Sequence, residues 1–366
     1  MKIALATTTI NVPYLLLEYS RHANIFMESN DHEIFFVIAG DRKTPNETMI
    51  FCKELQEIQK IEVTYLDPDV QRIMLGKNNP LDSHLDWDCI QRRNLAGLFA
   101  LRKHADVIIY IDDDNYIDNS NYFSDHISVI SEIPKSSIES TNGFYNIMNS
   151  AKGKRTGDWL FPRGYPFSLR ADSASSSQSF NTRQVGVNAG LWLEEPDIDA
   201  ISRISGKPIV ESYSFSGNLC LSKGTWTPIN SQNTLFLSKL LPAYFLSSKV
   251  GRYDDIYAGY ILQKVMDRLG YATSFGAPFV RQKRNEHDLL LDLQHELNGM
   301  KNIDFFVNFL RDFELKSSNV IDCVLEIKTQ IQLILQDLPK NHFAVQDLRN
   351  LALGFHLWVE SISQKL

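Results

Sequence analysis

The sequence predicts an α/β protein in which helices cover both faces of a largely parallel β-sheet and a helical region follows. Short β-rich segments alternate with helix-like segments in the first half of the 366-residue chain, a pattern typical of parallel sheets. From residue 303 onward, apolar residues recur at helical spacing. These observations predict an α/β domain over residues 1–300 and a helical region over residues 301–366.

The predicted strands are short runs of apolar and β-branched residues, each followed by polar or turn residues. They are KIALATTTI at 2–10, EIFFVIAGD at 33–41, VTYLDP at 63–68 and DVIIYIDDD at 106–114. Helical patterns at 46–60 and 88–104 lie between them. Ligands of such sheets gather at the carboxyl ends of the strands. The polar side chains at those ends are therefore candidate ligand contacts: Thr7, Thr8, Asp41 and Asp112–Asp114.

The second half of the chain is predicted to contain polar loops, one clear helix and the helical tail. Segment 151–185 is rich in Ser, Gly and charged residues, which is typical of surface loops. Segment 254–271, DDIYAGYILQKVMDRLGY, has apolar residues on one side, which predicts an amphipathic helix. We expect the tail either to cover the core or to form an oligomer interface.

Composition and charge narrow the class of protein. The formal net charge of −7 argues against nucleic-acid binding through an overall basic surface. No apolar run in the sequence is long enough to cross a membrane. The four cysteines form no CxxC pair, so we expect reduced thiols and a cytoplasmic protein. Phosphate-loop, dinucleotide-fingerprint and GxSxG patterns are absent from the sequence.

The acidic triplet Asp112–Asp114 has two interpretations. It can simply end a strand and begin a solvated turn. It can also hold a hard divalent cation such as Mg²⁺ or Mn²⁺, which prefers carboxylate oxygens and leaves positions for phosphate. Because side chains alternate along a strand, Asp112 and Asp114 would share one side and Asp113 would face the other. The residues alone leave both interpretations open.

Two further segments carry charged residues suited to chemistry. Arg163 and Arg170 bracket a turn in PRGYPFSLR at 162–170. Guanidinium groups grip phosphate or carboxylate oxygens in a forked geometry, but an ordered loop with two surface arginines is an equal interpretation. Asp254 and Asp255 stand at the start of the predicted helix. One of them can cap that helix while the other hydrogen-bonds a ligand or acts as a base.

Several motifs occur together and in an order that resembles one known family. They are IDDDN, RGYPFSLR, GLWLEEPDIDA, NTLFLSKLLPAYF and GRYDDIYAGYILQKVMDRLGY, within residues 105–300. The chain resembles the reversibly glycosylated polypeptides, which form the UDP-arabinopyranose mutase family of GT-A-type glycosyltransferases. This resemblance implies a GT-A-like (Rossmann-like) mixed sheet flanked by helices, a nucleotide-sugar donor, and a Mn²⁺ or Mg²⁺ ion on the acidic triplet.

The resemblance also implies roles for the candidate residues. Arg163 matches the position that carries reversible glycosylation in the family, although a protonated arginine is a poor nucleophile and charge stabilisation is the more cautious role. The expected catalytic residues are Arg163, Arg170, Asp254 and Asp255, the expected metal ligands are Asp112 and Asp114, and the expected donor contacts are Thr7, Thr8, Asp41 and Asp113.

Three functions are compatible with these residues. We expect first a metal-dependent glycosyltransferase that moves sugar from a donor, most simply a UDP-sugar, to a carbohydrate or glycan acceptor. The second is a nucleotide-sugar mutase that interconverts pyranose and furanose rings without flavin. The third is a non-catalytic scaffold that binds a partner enzyme through the helical tail. No nucleic-acid partner is expected, and the C-terminal helices are the expected site of any oligomer contact.

Overall fold

Strands and helices alternate along the chain as the sequence predicts. The computed structural model describes residues 1–134, 136–171, 174–283 and 288–364. Among these residues the strands are β1 Lys2–Thr8, β2 Glu33–Ala39, β3 Glu62–Leu66, β4 Val107–Ile111, β5 Asn115–Ile117, β6 Ser136–Ser140, β7 Ala151–Lys154, β8 Ser176–Phe180, β9 Gln184–Glu194, β10 Ile209–Tyr213, β11 Asn218–Cys220, β12 Asn233–Leu237 and β13 Tyr271–Gln282. The helices are α1 Leu16–Ser29, α2 Glu47–Gln59, α3 Pro68–Leu75, α4 Pro80–His84, α5 Arg93–Arg102, α6 Tyr122–Ser131, α7 Ala200–Gly206, α8 Asp254–Leu269, α9 Leu289–Arg311, α10 Val320–Asp337 and α11 Val345–Ser363.

The main sheet joins a parallel half to a mixed half. Its strand order is β11-β13-β9-β12-β4-β1-β2-β3. Strands β3, β2, β1 and β4 are mutually parallel, whereas β12 runs antiparallel to both β4 and β9. Strand β13 is parallel to β9. The predicted mixed sheet flanked by helices is confirmed.

The strands of the parallel half form because their apolar runs are buried on both faces of the sheet. All five residues of β4 are buried, as are the five central residues of β1 and all but the first residue of β2. Continuous apolar strands of this kind are typical of sheets covered by helices on both sides. The parallel register brings the carboxyl ends of these strands to one edge, where the polar residues follow.

The end of β4 is fixed by hydrogen bonds to its two neighbouring strands. On one side, Thr7 Oγ1 donates to the carbonyl of Ile111 over 2.9 Å. On the other side, the amide of Asp112 donates to the carbonyl of Gln232 over 2.9 Å. The acidic triplet therefore begins at a backbone position that is held from both sides.

The segment 151–185, predicted as surface loop, contains strands β7 and β8. Strand β7 pairs antiparallel with β10, and β8 pairs antiparallel with β6 in a separate two-stranded sheet. The sequence of β8, SSQSF, has little apolar character, and its residues are exposed except for the half-buried Ser179. Cross-strand pairing, which depends on context more than on residue type, explains the difference. Residues 172 and 173 of this region lie outside the described residues.

The C-terminal helices share the hydrophobic core of the sheet. Helix α9 runs through the predicted boundary at 300/301, and Asp347 of α11 accepts hydrogen bonds from Tyr257, Asn298 and Asn302. Trp358 of α11 packs against Phe245 and is fully buried. We therefore propose that the sheet and the C-terminal helices form one folding unit, with the tail covering the core.

Two further observations concern the cysteines and the apolar character of the helices. The four cysteines are free, and Cys52, Cys220 and Cys323 are buried. Among the helices of the described segments, none is both long enough and apolar enough to cross a membrane.

Replacing Trp358 by alanine tests whether the tail and the sheet fold together. The Trp358 indole is fully buried and its Nε1 donates to the carbonyl of Leu241 over 3.2 Å. Removing a buried tryptophan costs about 3–5 kcal/mol of unfolding free energy, and we expect this loss in urea unfolding. Leu353→Ala on the same helix is the control, because Leu353 is 50% exposed. A loss below about 1 kcal/mol for Trp358→Ala, well under the large-to-small range, would contradict the shared core.

Candidate active site

Two adjoining cavities lie at the carboxyl edge of the parallel strands. The large cavity has a volume of about 630 Å³ and the smaller cavity about 260 Å³. Residues shared by both linings form the junction: Ile90, Arg93, Asp112 and Asp114. The large cavity is also lined by Gln91, Arg163, Asp197, Ser231, Gln232, Ser248, Gly251, Arg252, Asp254, Asp255, Gln282 and His295. The predicted acidic residues Asp112, Asp114, Asp254 and Asp255 therefore all line the large cavity.

The three acids of the triplet face different surroundings. Asp112 and Asp114 line both cavities, whereas Asp113 lines only the smaller one. Asp113 Oδ2 accepts a hydrogen bond from Thr9 Oγ1 over 3.0 Å. Burial raises the pKa of Asp113, and the charge of Asp112 adds to the rise. The predicted separation of Asp113 from Asp112 and Asp114 therefore arises in a turn after β4 and not by strand alternation.

Arg93, at the start of α5, holds Asp112 from inside the protein. The Arg93 side chain is 2% exposed and its Nη2 donates to Asp112 Oδ1. Its Nη1 donates to the carbonyl of Ser231 over 2.7 Å and to Ser231 Oγ over 2.8 Å. Burial alone would lower the pKa of Arg93, but the charge of Asp112 outweighs it and raises the pKa. A buried cation therefore sits directly beside the acidic triplet.

Arg163 is clamped by two buried carboxylates. Its Nη1 and Nη2 each donate over 2.9 Å to one oxygen of Asp255, which makes a forked pair. Its Nη2 also donates to Asp197 Oδ2 over 3.0 Å, and its Nη1 donates to the carbonyl of Arg252. Burial would lower the pKa of Arg163, but Asp197 and Asp255 raise it well above its usual value. Arg163 is therefore a fixed cation in the wall of the large cavity.

Asp254 lies next to this clamp in a different electrostatic state. It is 2% exposed, and its Oδ2 accepts a hydrogen bond from Gln91 Nε2 over 2.8 Å. Burial, followed by the charge of Asp255, raises the pKa of Asp254 to about 7. Asp254 is thus a buried carboxyl in the cavity wall that can hold or release a proton near neutral pH.

The smaller cavity is lined by the ends of β1 and β2. Thr8, Thr9 and Asp41 line it. Asp41 Oδ1 accepts from the amide of Arg42 over 2.6 Å, and Asp41 Oδ2 accepts from the amide of Cys89 over 3.2 Å. Asp41 therefore ties the end of β2 to the segment that leads into α5.

Two residues predicted at the site make contacts within the protein. Thr7 is 2% exposed and donates its hydroxyl hydrogen to the Ile111 carbonyl, and its contact with a donor stays a prediction. Arg170 forms an ion pair with the buried Asp199 over 2.6 Å and lies 3.6 Å from the centre of the Phe167 ring. Neither Thr7 nor Arg170 is among the described residues that line the two cavities. These contacts order the loop that carries Arg170, and its catalytic role stays a prediction.

Residues of the cavity wall that the sequence did not predict include Gln91, Arg93 and Asp197. Arg93 and Gln91 lie in the predicted helical segment 88–104, and Asp197 lies in GLWLEEPDIDA. Each acts through a partner distant in the chain, for example Gln91 on Asp254 and Arg93 on Ser231. The charged residues Arg93 and Asp197 were visible in the sequence, but nothing there indicated their partners.

The junction fits a divalent cation only as an open site. No cluster of three or more His, Cys, Asp or Glu side chains arranged for a metal occurs among the described residues. Asp112 and Asp114 provide two carboxylates at the junction. Mg²⁺-like cations are often held by one or two protein carboxylates while substrate phosphates and waters complete the shell. The residues therefore fit a cation whose remaining ligands come from a bound phosphate.

The lining of the large cavity carries more negative than positive formal charge. Its ionisable carboxylates and guanidinium groups are five aspartates and three arginines, which leaves a formal excess of two negative charges. A diphosphate would be repelled by this excess unless a cation or proton uptake compensates for it. The lining therefore suits the joint binding of an anionic ligand and a divalent cation.

Known proteins resemble this chain in sequence over most of its length. The chain is 26% identical to the probable UDP-arabinopyranose mutase 2 of Solanum tuberosum and 27% identical to the probable UDP-arabinopyranose mutase 1 of Pisum sativum. Each of these alignments covers 72% of this chain and 69% of the relative.

Similarity to solved structures is weaker. A glucosyl-3-phosphoglycerate synthase from Mycobacterium tuberculosis, in complex with Mn²⁺ and UDP-glucose, overlaps 83% of this chain and 78% of its own. The TM-score is 0.41 and the sequence identity is 10%.

Most of the chain matches one known protein family. The reversibly glycosylated polypeptide family matches residues 59–363, which include β4, α8 and the three C-terminal helices. This range holds every residue of the large cavity wall named above. The chain therefore belongs to the reversibly glycosylated polypeptide family.

Proposed function

We propose that the chain is a divalent-cation-dependent enzyme that breaks the bond between the anomeric carbon of a sugar and a nucleoside diphosphate, most simply UDP. The observation that carries this proposal is the junction of the two cavities, where Asp112 and Asp114 face both spaces. A diphosphate at this junction would join a nucleoside in the smaller cavity to a sugar in the large cavity.

The two cavities suit the two ends of such a donor. Thr8, Asp41 and Asp113 give the smaller cavity hydrogen-bonding groups for a base and a ribose. The large cavity has acidic and basic groups on its wall, which suit the hydroxyl groups of a sugar. The donor contacts predicted for Thr8, Asp41 and Asp113 thus remain part of the proposal.

Asp112 and Asp114 would hold the cation, either Mn²⁺ or Mg²⁺. When bound, such an ion supplies positive charge that stabilises the diphosphate as it leaves. The protein's own contribution is to orient Asp112, through Arg93 and through the Gln232 carbonyl. This fixed orientation reduces the reorganisation needed when the donor binds.

Arg163 would stabilise negative charge on the donor or on the departing diphosphate. Its guanidinium is protonated and its donors are engaged by Asp197, Asp255 and the Arg252 carbonyl. A protonated guanidinium offers no lone pair for attack on carbon. A covalent glycosyl-arginine would first require transfer of a proton, for which Asp255 is the adjacent acceptor, and loss of the fork.

The first candidate reaction is interconversion of the pyranose and furanose rings of a UDP-sugar. The family relatives named above are called UDP-arabinopyranose mutases. In this reaction the bond between C1 of the sugar and the diphosphate breaks, and another hydroxyl oxygen of the sugar bonds to C1 and loses its proton. The original ring C–O bond then breaks, its oxygen takes up a proton, and the diphosphate bonds to C1 again. Asp254, with a pKa of about 7, is suited to carry such a proton.

The second candidate reaction is transfer of the sugar to a carbohydrate acceptor. The volume of the large cavity, about 630 Å³, is typical of sites that enclose a whole small ligand. With the nucleoside assigned to the smaller cavity, the large one has room for an acceptor beside the donor sugar. A non-catalytic scaffold is disfavoured because it would not need buried charges such as Arg163 and Asp254 in a cavity wall.

We also propose a reducing compartment, such as the cytoplasm, because the chain keeps free, buried cysteines such as Cys52 and Cys220. An oligomer through the C-terminal helices remains a prediction. Exposed apolar side chains on those helices, including Leu333 and Leu353, are compatible with it.

The proposed function is tested with purified protein, Mn²⁺ and a panel of nucleotide sugars. We expect one UDP-sugar to be converted to its ring isomer, which identifies a mutase, or to be slowly hydrolysed without isomerisation, which identifies a transferase lacking its acceptor. Chromatography of the small molecules distinguishes these products, and intact-protein mass reports any glycosyl group bound covalently to the protein. Absence of both binding and turnover across the panel, with and without metal, would refute the enzymatic proposal.

Replacing Asp112 by alanine tests the cation site. We expect Mn²⁺-dependent UDP binding to fall by at least about tenfold, equivalent to about 1.4 kcal/mol, because one of two junction carboxylates is lost. Isothermal titration calorimetry measures the effect, and circular dichroism checks that the fold is intact. Asp69→Ala is the matched control, because the Asp69 side chain is 87% exposed on α3. Equal UDP affinity in the Asp112 variant and the control would contradict the assignment.

Replacing Asp254 by asparagine tests its protonation. A carboxyl whose pKa is higher in the folded than in the unfolded state stabilises the folded protein at low pH, and that contribution is lost as pH rises through the folded value, about 7. An asparagine side chain cannot ionise. The urea midpoint of the Asp254→Asn variant, relative to that of wild type, should therefore increase as the pH rises from 5 to 8. Asp31→Asn, at an exposed position, provides the control. If the difference in urea midpoint between the Asp254→Asn variant and wild type does not change with pH, the raised pKa of Asp254 is contradicted.

A further inference from the structure

The contact between Arg93 and Asp112 affects how a divalent cation can bind at the proposed site. Both residues line the junction of the two cavities. Asp112 Oδ1 is already occupied by the Arg93 guanidinium. A cation entering the junction without any other ligand therefore meets one carboxylate that is already neutralised and a fixed positive charge close by.

The position of Arg93 is imposed by contacts that do not involve a ligand. Its Nη1 makes two hydrogen bonds to Ser231, one to the carbonyl and one to Oγ. The next residue, Gln232, accepts the amide hydrogen of Asp112 through its carbonyl. Arg93 and Asp112 are thus both tied to the same two-residue segment, so neither is free to move aside.

We propose that Arg93 is a positioning residue that holds Asp112 and makes the binding of a divalent cation depend on the nucleoside diphosphate. This inference rests on the proposed function, since it takes the diphosphate as the ligand of the junction. Arginine keeps its charge at any physiological pH, so its repulsion of a free cation is permanent. A diphosphate adds negative oxygens that both attract the cation and complete its coordination.

A thermodynamic cycle follows from this arrangement. If UDP strengthens the binding of Mn²⁺, then Mn²⁺ strengthens the binding of UDP by the same factor. Removing the Arg93 charge should strengthen Mn²⁺ binding to the protein alone and thereby reduce the coupling between the two ligands. A purely structural role for Arg93 would change stability but would leave this coupling unchanged.

The test measures Mn²⁺ binding to the full chain by electron paramagnetic resonance, and UDP binding by calorimetry with and without Mn²⁺. For wild type we expect weak Mn²⁺ binding to the protein alone and UDP affinity at least tenfold higher with Mn²⁺ than without. For Arg93→Gln we expect Mn²⁺ to bind the protein alone at least tenfold more tightly, with a correspondingly smaller coupling. Arg93→Lys keeps the charge and should resemble wild type in coupling.

The control is Arg102→Gln on the same helix, since Arg102 donates to the carbonyls of Met74 and Ser361 and is not among the described residues lining either cavity. The inference is overturned if the wild-type protein binds Mn²⁺ as tightly without UDP as with it. This measurement does not depend on whether any variant folds. It is also overturned if folded Arg93→Gln keeps the wild-type coupling. Failure of wild type to bind UDP under any condition would instead refute the proposed function, and the inference with it.

Discussion

The arrangement of the site depends on pairing each buried carboxylate with a buried arginine or a fixed hydrogen-bond donor. An isolated charge inside a protein is costly, and removing one member of a buried pair typically destabilises a protein by about 3–5 kcal/mol. Here Arg93 meets Asp112, and Arg163 meets both Asp197 and Asp255. These pairs connect the end of the parallel half of the sheet, the loop before α7 and the start of α8. The cavity wall is therefore also a set of cross-links between distant parts of the chain.

Not every carboxylate of the wall is paired with an arginine, and the excess negative charge decides which ligands the site can bind. Asp254 has a neutral partner, Gln91, and a charged neighbour, Asp255, so its pKa rises to about 7. At the junction, Asp112 pairs with Arg93, while the lining of the large cavity holds five aspartates and three arginines. A wall with this excess of negative charge is a poor site for a bare diphosphate and a good one for a diphosphate with a cation. The proposed enzyme function follows from that preference.

The sequence predicted the parts of the structure that depend on local patterns. The four predicted strands of the first half correspond to β1–β4, because continuous apolar runs are needed where a sheet is covered on both faces. Asp112 and Asp114 face the cavities because they follow β4 at the carboxyl edge. Asp254 and Asp255 were identified through their place at the start of α8 and through the family motif.

Contacts between distant residues could not be predicted in this way. Gln91 and Asp254 are 163 positions apart, and Arg93 and Ser231 are 138 apart, so no local pattern joins them. The same limit applies to Arg170, whose partner Asp199 is buried in a separate segment. Strand β8 escaped prediction because its pairing with β6, and not its own Ser-rich sequence, makes it a strand.

The central claim is that a cation and a diphosphate meet at the junction between the two cavities. The most direct measurement is the anomalous scattering of Mn²⁺ in crystals of the protein grown with UDP. We predict one strong peak within coordination distance of Asp112 or Asp114, with the diphosphate on its other side, the uridine in the smaller cavity and Arg93 still paired with Asp112. Mn²⁺ or UDP bound away from this junction would contradict the account.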